Sequence, residues 1–282
     1  MGVIGACFWV TTRCGLRCDI CYAALNTEPD NTFEGYHRVL QQLKILGARK
    51  VAFTGGDPFL VRGFDRILSA GRNLGFKVAV TTNGSQVDAE RLLQIEPFVD
   101  EMTLPMDGMT DEISWAHRTI RHDHQRVLRL LSLAPTSRIE IDVSTVVTAL
   151  NIGQLPQIAD YLEQRGIRKW KVFQYSALDQ QITDSARFSV SKTEFQSAQA
   201  TLVERTATFL HLREVDFRDN SQRSINSYMN ILPGGDILLS KDDEYFDAGS
   251  VFDFTDGVGL LSALRSQGFD IDEHLRRHFR DL

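Results

Sequence analysis

Strand-like and helix-like stretches alternate along residues 1–175, and no other feature narrows the possible folds as far. Short runs rich in Val, Ile, Phe and Thr, bounded by turn residues, predict strands over 6–12, 49–54, 76–82, 100–105, 138–146 and 169–175. Between them the apolar spacing predicts helices over 33–47, 62–74, 87–95, 120–132 and 153–165. Val39, Leu40, Leu43 and Leu46 recur as one buried helix face does, and Gly47 supplies a C′ stop. Such alternation packs as a parallel sheet with helices outside it. Six βα units therefore predict an α/β fold, as a TIM-like partial (βα)6 barrel or an open doubly wound sheet. Residues 176–282 lose the rhythm: 188–209 reads as helix, 216–254 as irregular, and 257–266 as a final helix. Within the irregular stretch Pro233-Gly234-Gly235 predicts a turn. The domain reading is a core over 1–175 and a C-terminal extension over 176–282 that closes the site.

Composition removes several classes of function. A hydrophobic share of 43% and a charged share of 24% describe an ordinary soluble chain with enough apolar residues for a sizeable core. A net charge of −6 argues against a general nucleic-acid binder, although it leaves room for a local basic pocket. The apolar run Gly2 to Val10 falls well short of the ~20 residues that cross a bilayer. It lacks a basic n-region as well, so a buried first strand, no membrane partner and a cytoplasmic location are expected.

Three of the four cysteines crowd into Cys14-Gly-Leu-Arg-Cys18-Asp-Ile-Cys21, directly after the first predicted strand. That is no secreted disulfide framework, which spreads even numbers of cysteines along a chain. A four-iron cluster takes a sulfur ligand on each iron, so three thiolates leave one iron open to a further ligand. Structural zinc is the competing reading, but it wants four ligands. Cys7 lies inside the strand and His37 far beyond Cys21. Three unrelated buried thiols are the third reading.

The C-x-x-x-C-x-x-C loop after the first strand, followed by Gly55-Gly56-Asp57-Pro58 after the second, resembles the radical S-adenosylmethionine (radical SAM) superfamily. The resemblance implies that Cys14, Cys18 and Cys21 bind a [4Fe-4S] cluster and that S-adenosylmethionine chelates the open iron. Its reductive cleavage yields a 5′-deoxyadenosyl radical, and a partial barrel of the radical SAM type carries this chemistry. Gly55, Gly56 and Asp57 match the family's Gly-Gly-Glu-Pro motif for the cofactor's amino group, with Asp57 one methylene short. Asn83, in Thr82-Asn83-Gly84, matches a ribose- and methionine-side contact, and Arg118 an arginine that meets the methionine carboxylate. Ile20 stands where the family usually has an aromatic residue. Glycines at a tight βα turn, and a solvated helix charge at position 118, are the structural alternatives.

Strand phase selects pocket residues. Ile139, Ile141 and Val143 alternate with Glu140, Asp142 and Ser144, so the apolar set faces helices and Asp142 and Ser144 face the lumen. Lys50 shares a phase with Ala52 and Thr54, and Lys171 with Lys169 and Phe173, which brings both lysines into consideration. A buried lysine is costly unless paired or bound to an anion, which points to phosphate or carboxylate recognition. The alternative places each lysine at a wet strand end.

Lys169-Trp-Lys-Val-Phe-Gln174, Phe53-Thr-Gly-Gly-Asp-Pro-Phe-Leu60, Thr82-Asn-Gly-Ser85 and Gly268-Phe269-Asp270 resemble the viperin family, collinearly over about residues 6–280. That resemblance implies conversion of a ribonucleoside triphosphate to its 3′-deoxy-3′,4′-didehydro form, a chain terminator in antiviral defence. It implies that Lys50 and Lys171 hold phosphates and that a flavodoxin or ferredoxin donates the electron. Two departures stand out. Asp142 and Ser144 occupy positions where the family has Lys and Asn, and a carboxylate repels a triphosphate by several kcal/mol per charge at ~4 Å and an effective dielectric of ~20. A glycine in the 226–235 run replaces a tyrosine proposed as hydrogen donor, leaving Tyr228 or Tyr245 as substitutes. A different substrate (nucleoside, nucleotide sugar or peptide, with Asp142 on a hydroxyl or amine) and a non-catalytic metal-binding protein are the alternative functions.

Overall fold

The computed structural model describes residues 5–21, 23, 29–118, 123–177, 185–221, 226–241 and 244–279. The six expected strands form β1 (Gly5–Thr11), β2 (Lys50–Gly55), β3 (Lys77–Thr81), β4 (Glu101–Pro105), β5 (Glu140–Val147) and β6 (Lys169–Gln174). Each pairs in parallel with the next, because a helical return separates every pair. The returns are α1 (Phe33–Ile45), α2 (Phe64–Asn73), α3 (Ala89–Ile95), α4 (Asp111–Arg118) with α5 (Asp123–Ser132), and α6 (Leu155–Gln164). In α1 the Thr32 side chain caps the Gly35 amide, and Tyr36, Val39, Leu40 and Leu43 line the buried face. Gly47, at φ 89°, ends the helix as expected.

The segment after 175 is more regular than its sequence pattern predicts. The helical reading over 188–209 splits into α7 (Ser185–Phe188) and α8 (Lys192–Thr206), the latter started by a Ser191–Glu194 capping box. The stretch expected to be irregular supplies strands instead: β7 (Glu214–Arg218), β8 (Asn230–Ile231), β9 (Asp236–Lys241) and β10 (Glu244–Ser250). They are short, and they extend the parallel core on both sides. β7 joins β6 in parallel, while β8 lies parallel to β1 and leads through the Pro233-Gly234-Gly235 turn into the β9–β10 hairpin. The resulting order among the described residues is β10-β9-β8-β1-β2-β3-β4-β5-β6-β7. Two helices finish the chain, α9 (Gly257–Ser266) as expected and α10 (Ile271–Phe279). Helix α4 escapes sequence reading because its buried face is polar, Ser114 and His117.

The helix-facing side of the sheet is the core. Phe8, Val10, Val51, Phe53, Val78, Val80, Met102, Leu104, Ile141, Val143, Trp170 and Val172 are all buried there. Each such side chain contributes roughly 1.5–3 kcal/mol by leaving water. On the opposite side the sheet curls around a lumen. In a flat sheet β1 and β7 would stand some six strand spacings of ~4.8 Å apart. Yet Arg218 on β7 donates to the Tyr228 hydroxyl, two residues before β8, which pairs with β1. The sheet is thus an open partial barrel.

Candidate active site

The cysteine loop leaves β1 at its C-terminal end and is tied down before the first sulfur. Thr11 Oγ1 donates to Asp30 (2.6 Å) and accepts from the Arg13 amide (3.0 Å), and the Arg13 guanidinium pairs with the same Asp30. Leu16 and Ile20 bury themselves as apolar anchors, Ile20 against Tyr175 and Phe188, while Cys14, Cys18 and Cys21 stay partly accessible. Ile20 thus fills with aliphatic volume the place of the expected aromatic ring. Cys14 Sγ accepts from the Leu16 amide (3.4 Å) and the Asn83 side-chain amide (3.7 Å); the Cys18 thiol faces the Arg118 carbonyl (3.9 Å).

Burial pushes the Cys18 thiol up to about 12, opposed by Arg118 and reinforced by the neighbouring thiols Cys21 and Cys14. The three sulfurs therefore share one electrostatic neighbourhood. A cubane bonds each thiolate to a different iron. Three thiols of one loop that feel one another, with N–H donors already aimed at Cys14, fit the three thiolate ligands of such a cluster.

The glycine turn after β2 packs directly beneath this loop. Gly55 has φ 122°, and a Cβ there would lie 2.0 Å from the Thr11 carbonyl; one on Gly56 would lie 2.0 Å from the Arg13 carbonyl. Only glycine admits that approach. The Gly56 and Asp57 amides donate to those same carbonyls, both at 2.8 Å. Asp57 is fully buried. Its Oδ2 accepts from Thr82 Oγ1 (2.8 Å) and the Asn83 amide (2.9 Å), and its Oδ1 from the Phe59 amide (3.0 Å). Burial raises this carboxyl and the three hydrogen bonds pull against the rise. Asp57 thus clamps the turn after β2 to the end of β3, and brings Asn83 to Cys14.

Arg118 ends α4 and is no solvated helix charge. Its guanidinium meets Asp107 at 2.5–2.6 Å, and the other Asp107 oxygen accepts from the Val146 amide (2.8 Å). Beside it, His117 joins the Ile113 carbonyl (2.6 Å) to Thr148 Oγ1 (2.8 Å), which fixes the end of α4 against the turn that follows β5.

Below the loop, the register aligns Thr81, Thr103 and Asp142 across β3, β4 and β5, and Ser144 with Lys171 and Asp216 across β5, β6 and β7. Lys50, Asp142, Ser144 and Lys171 all share this lumen phase, as strand periodicity predicts. The lysines are engaged: Lys50 Nζ lies 2.6 Å from Glu101, which also holds Lys77 at 2.5 Å. Lys171 Nζ donates to Thr103 Oγ1 (2.9 Å) and to Asp142 Oδ2 (3.1 Å). Asp142 is 1% exposed, and its Oδ1 has no hydrogen-bond partner among the described residues.

The two candidate tyrosines stand apart. The Tyr228 hydroxyl accepts from Arg218, a buried guanidinium that also grips Asp216 and lies over Phe173; Arg277 covers the Tyr228 ring at 4.7 Å. Tyr245 packs edge-on to Trp9 at 5.9 Å, within the apolar cluster that touches Cys14 and Cys21. Sequence reasoning misses Glu101, Thr103, Arg218 and Arg277. Alternation along β4 could have found the first two, and alternation in Glu214-Val-Asp-Phe-Arg218 the third.

No described helix is long and apolar enough to cross a membrane. The Radical SAM superfamily model matches residues 10–162. An S-adenosylmethionine-dependent nucleotide dehydratase of Flammeovirga pacifica is 22% identical over 96% of this chain and 92% of its own. Another so described, from Selenomonas ruminantium, is 26% identical over 86% of this chain and 88% of its own. Streptococcus suis SuiB bound to precursor peptide SuiA shares the fold with a TM-score of 0.68 at 18% identity over 83% of this chain, which spans 58% of the SuiB chain.

Proposed function

Because the chain belongs to the radical SAM superfamily, we propose that it is a viperin-like enzyme that removes water from the ribose of a nucleotide, with ribonucleoside triphosphates as the first substrate class. One observation carries the reading: a three-thiol loop sits at the strand ends above a charged lumen that contains Lys50 and Lys171. Similarity to nucleotide dehydratases along nearly the whole chain supports it.

When bound, the [4Fe-4S] cluster and S-adenosylmethionine supply the radical that takes a hydrogen from the ribose. Cys14, Cys18 and Cys21 would hold the cluster. The Gly55-Gly56 turn, seated against the cysteine loop, would line the cofactor's amino end with Asn83 beside Cys14. Asp57 acts by holding both turns in place, since its oxygens accept from Thr82, Asn83 and Phe59. Arg118, fixed by Asp107, is the cation for the cofactor's carboxylate. Lys50 and Lys171, deeper in the lumen, meet the phosphates with Ser144 alongside.

Of the two tyrosines, we assign Tyr228 as the hydrogen donor, because Arg218 ties its hydroxyl to the lumen side of β7. Residues 176–282 close the site in this reading, and an acidic flavodoxin- or ferredoxin-like carrier delivers the electron. Anaerobic reconstitution tests the proposal, with about four irons per chain expected. Dithionite-dependent 5′-deoxyadenosine should then rise with one of the four ribonucleoside triphosphates, alongside a product lighter by one water. Tightly bound zinc, or deoxyadenosine formation that no nucleotide stimulates, would overturn it.

A further inference from the structure

The lumen is unusual in that its cations arrive already neutralised. Lys171 is held by Thr103 and by Asp142, and its side chain keeps 18% of its surface open. An ammonium has three donors, so one remains for a ligand. The obstacle to an anionic ligand is the carboxylate on the far side of that ammonium. Asp142 uses one oxygen on Lys171 and leaves the other buried without a partner. A buried carboxylate oxygen that no protein donor reaches among the described residues is costly, and a proton on it lowers the cost.

We propose that Asp142 is a counter-ion that masks Lys171 and takes up a proton when a nucleotide's phosphates bind, so that substrate binding is coupled to uptake of one proton. The inference rests on the nucleotide reading above and deepens it. With Oδ1 protonated, Oδ2 still accepts from Lys171, so the lysine keeps its place while its charge becomes available to phosphate. The groups that face Asp142 set the balance. Lys171 and Lys169 come from β6, and Glu101 comes from β4 with Lys50 and Lys77 attached to it. Glu140 lies on the same strand, in the same phase and exposed. Burial raises the Asp142 carboxyl, the lysines oppose the rise, and Glu101 adds to it. A phosphate group arriving at Lys171 adds a further negative charge on the same side as Glu101. Asp142 is therefore a positioning residue for Lys171 and the element that ties affinity to pH.

Calorimetric titration of the reconstituted enzyme with each of the four ribonucleoside triphosphates, in buffers of different ionisation enthalpy, counts the protons. Wild type should take up close to one proton per nucleotide bound. Between the pKa values of Asp142 in the free and the nucleotide-bound enzyme, affinity should fall about tenfold per pH unit. A γ-phosphate meeting a cation would release a proton, so the sign is diagnostic. Asp142→Asn should bind with no uptake and little pH dependence, and at alkaline pH at least tenfold more tightly than wild type. A purely structural role for Asp142 would leave the proton count unmoved. Binding by wild type without proton uptake overturns the proposal, whether or not the variant folds. So does uptake that persists in Asp142→Asn. If a nucleotide is bound and dehydrated without uptake, Asp142 alone loses its role. If no nucleotide binds, the dehydratase reading falls and this inference with it.

Discussion

On their helix-facing side, strands β1–β6 present Phe8, Val51, Phe53, Val78, Met102, Ile141, Val143 and Trp170, all buried in one continuous core. On the lumen side the same strands carry Cys7, Lys50, Thr81, Glu101, Thr103, Asp142, Ser144 and Lys171. The first face needs nothing beyond the chain itself. The second holds buried charges that hydrophobic residues of similar volume could replace, often without loss of stability. Folding alone gives no reason for the buried pairs Lys50–Glu101 and Lys171–Asp142. The contrast teaches that stability and chemistry are carried by alternate residues of the same strands, so substitutions one position apart should have unlike consequences.

The largest expected effect falls above the lumen, on the cysteine loop. Cys18→Ala should abolish iron-dependent deoxyadenosine formation and leave a chain with two cluster thiols, because the remaining pair cannot complete the ligand set. Its thermal transition, measured on the metal-free protein, should stay close to that of wild type, since Leu16 and Ile20 anchor the loop independently. A large loss of metal-free stability would show that the loop belongs to the core.

The complementary test lies on the other face. Phe53 is fully buried between Phe8 and Phe64, with ring centroids at 6.1 and 5.8 Å. Phe53→Ala should cost about 3–5 kcal/mol of unfolding free energy, from lost transfer and the cavity left behind. Denaturant unfolding measures this, and any folded fraction should still load iron. If Phe53→Ala folds normally but loses the cluster, the separation of the two faces is wrong.

Why some of this was legible in the sequence follows from the same contrast. An apolar residue at every second position of a strand has one stable orientation, so Ile141 and Val143 announced which way Asp142 and Ser144 point. The cysteine spacing and the Gly55-Gly56 turn were legible because a tight ligand loop and a close backbone approach tolerate few alternatives. Partners were not legible. Nothing local to Lys50 tells that Glu101, from another strand, sits 2.6 Å away, or that Asp57 spends its oxygens on Thr82, Asn83 and Phe59. Strands β7–β10 stayed hidden because they are short: β8 has two residues, and Glu214-Val-Asp-Phe-Arg218 alternates as a strand does for only five.

The smallest expected effect is also the most selective. Tyr228 keeps its ring between Arg277 and the β7 side of the lumen, and its hydroxyl is the only atom that Tyr228→Phe removes. The ring's packing survives, and Arg218 retains Asp216 as its main partner at Nε and Nη2, so stability should change by less than about 1.5 kcal/mol, the range of one hydrogen bond. Formation of 5′-deoxyadenosine precedes the return of a hydrogen and should continue. Dehydrated nucleotide should fall severalfold, so the ratio of the two products, read by mass spectrometry, separates a donor from a packing residue. Equal loss of both would place Tyr228 in binding. An unchanged ratio would pass the role to Tyr245, whose Tyr245→Phe counterpart, beside Trp9 and the cysteine loop, should then show the uncoupling.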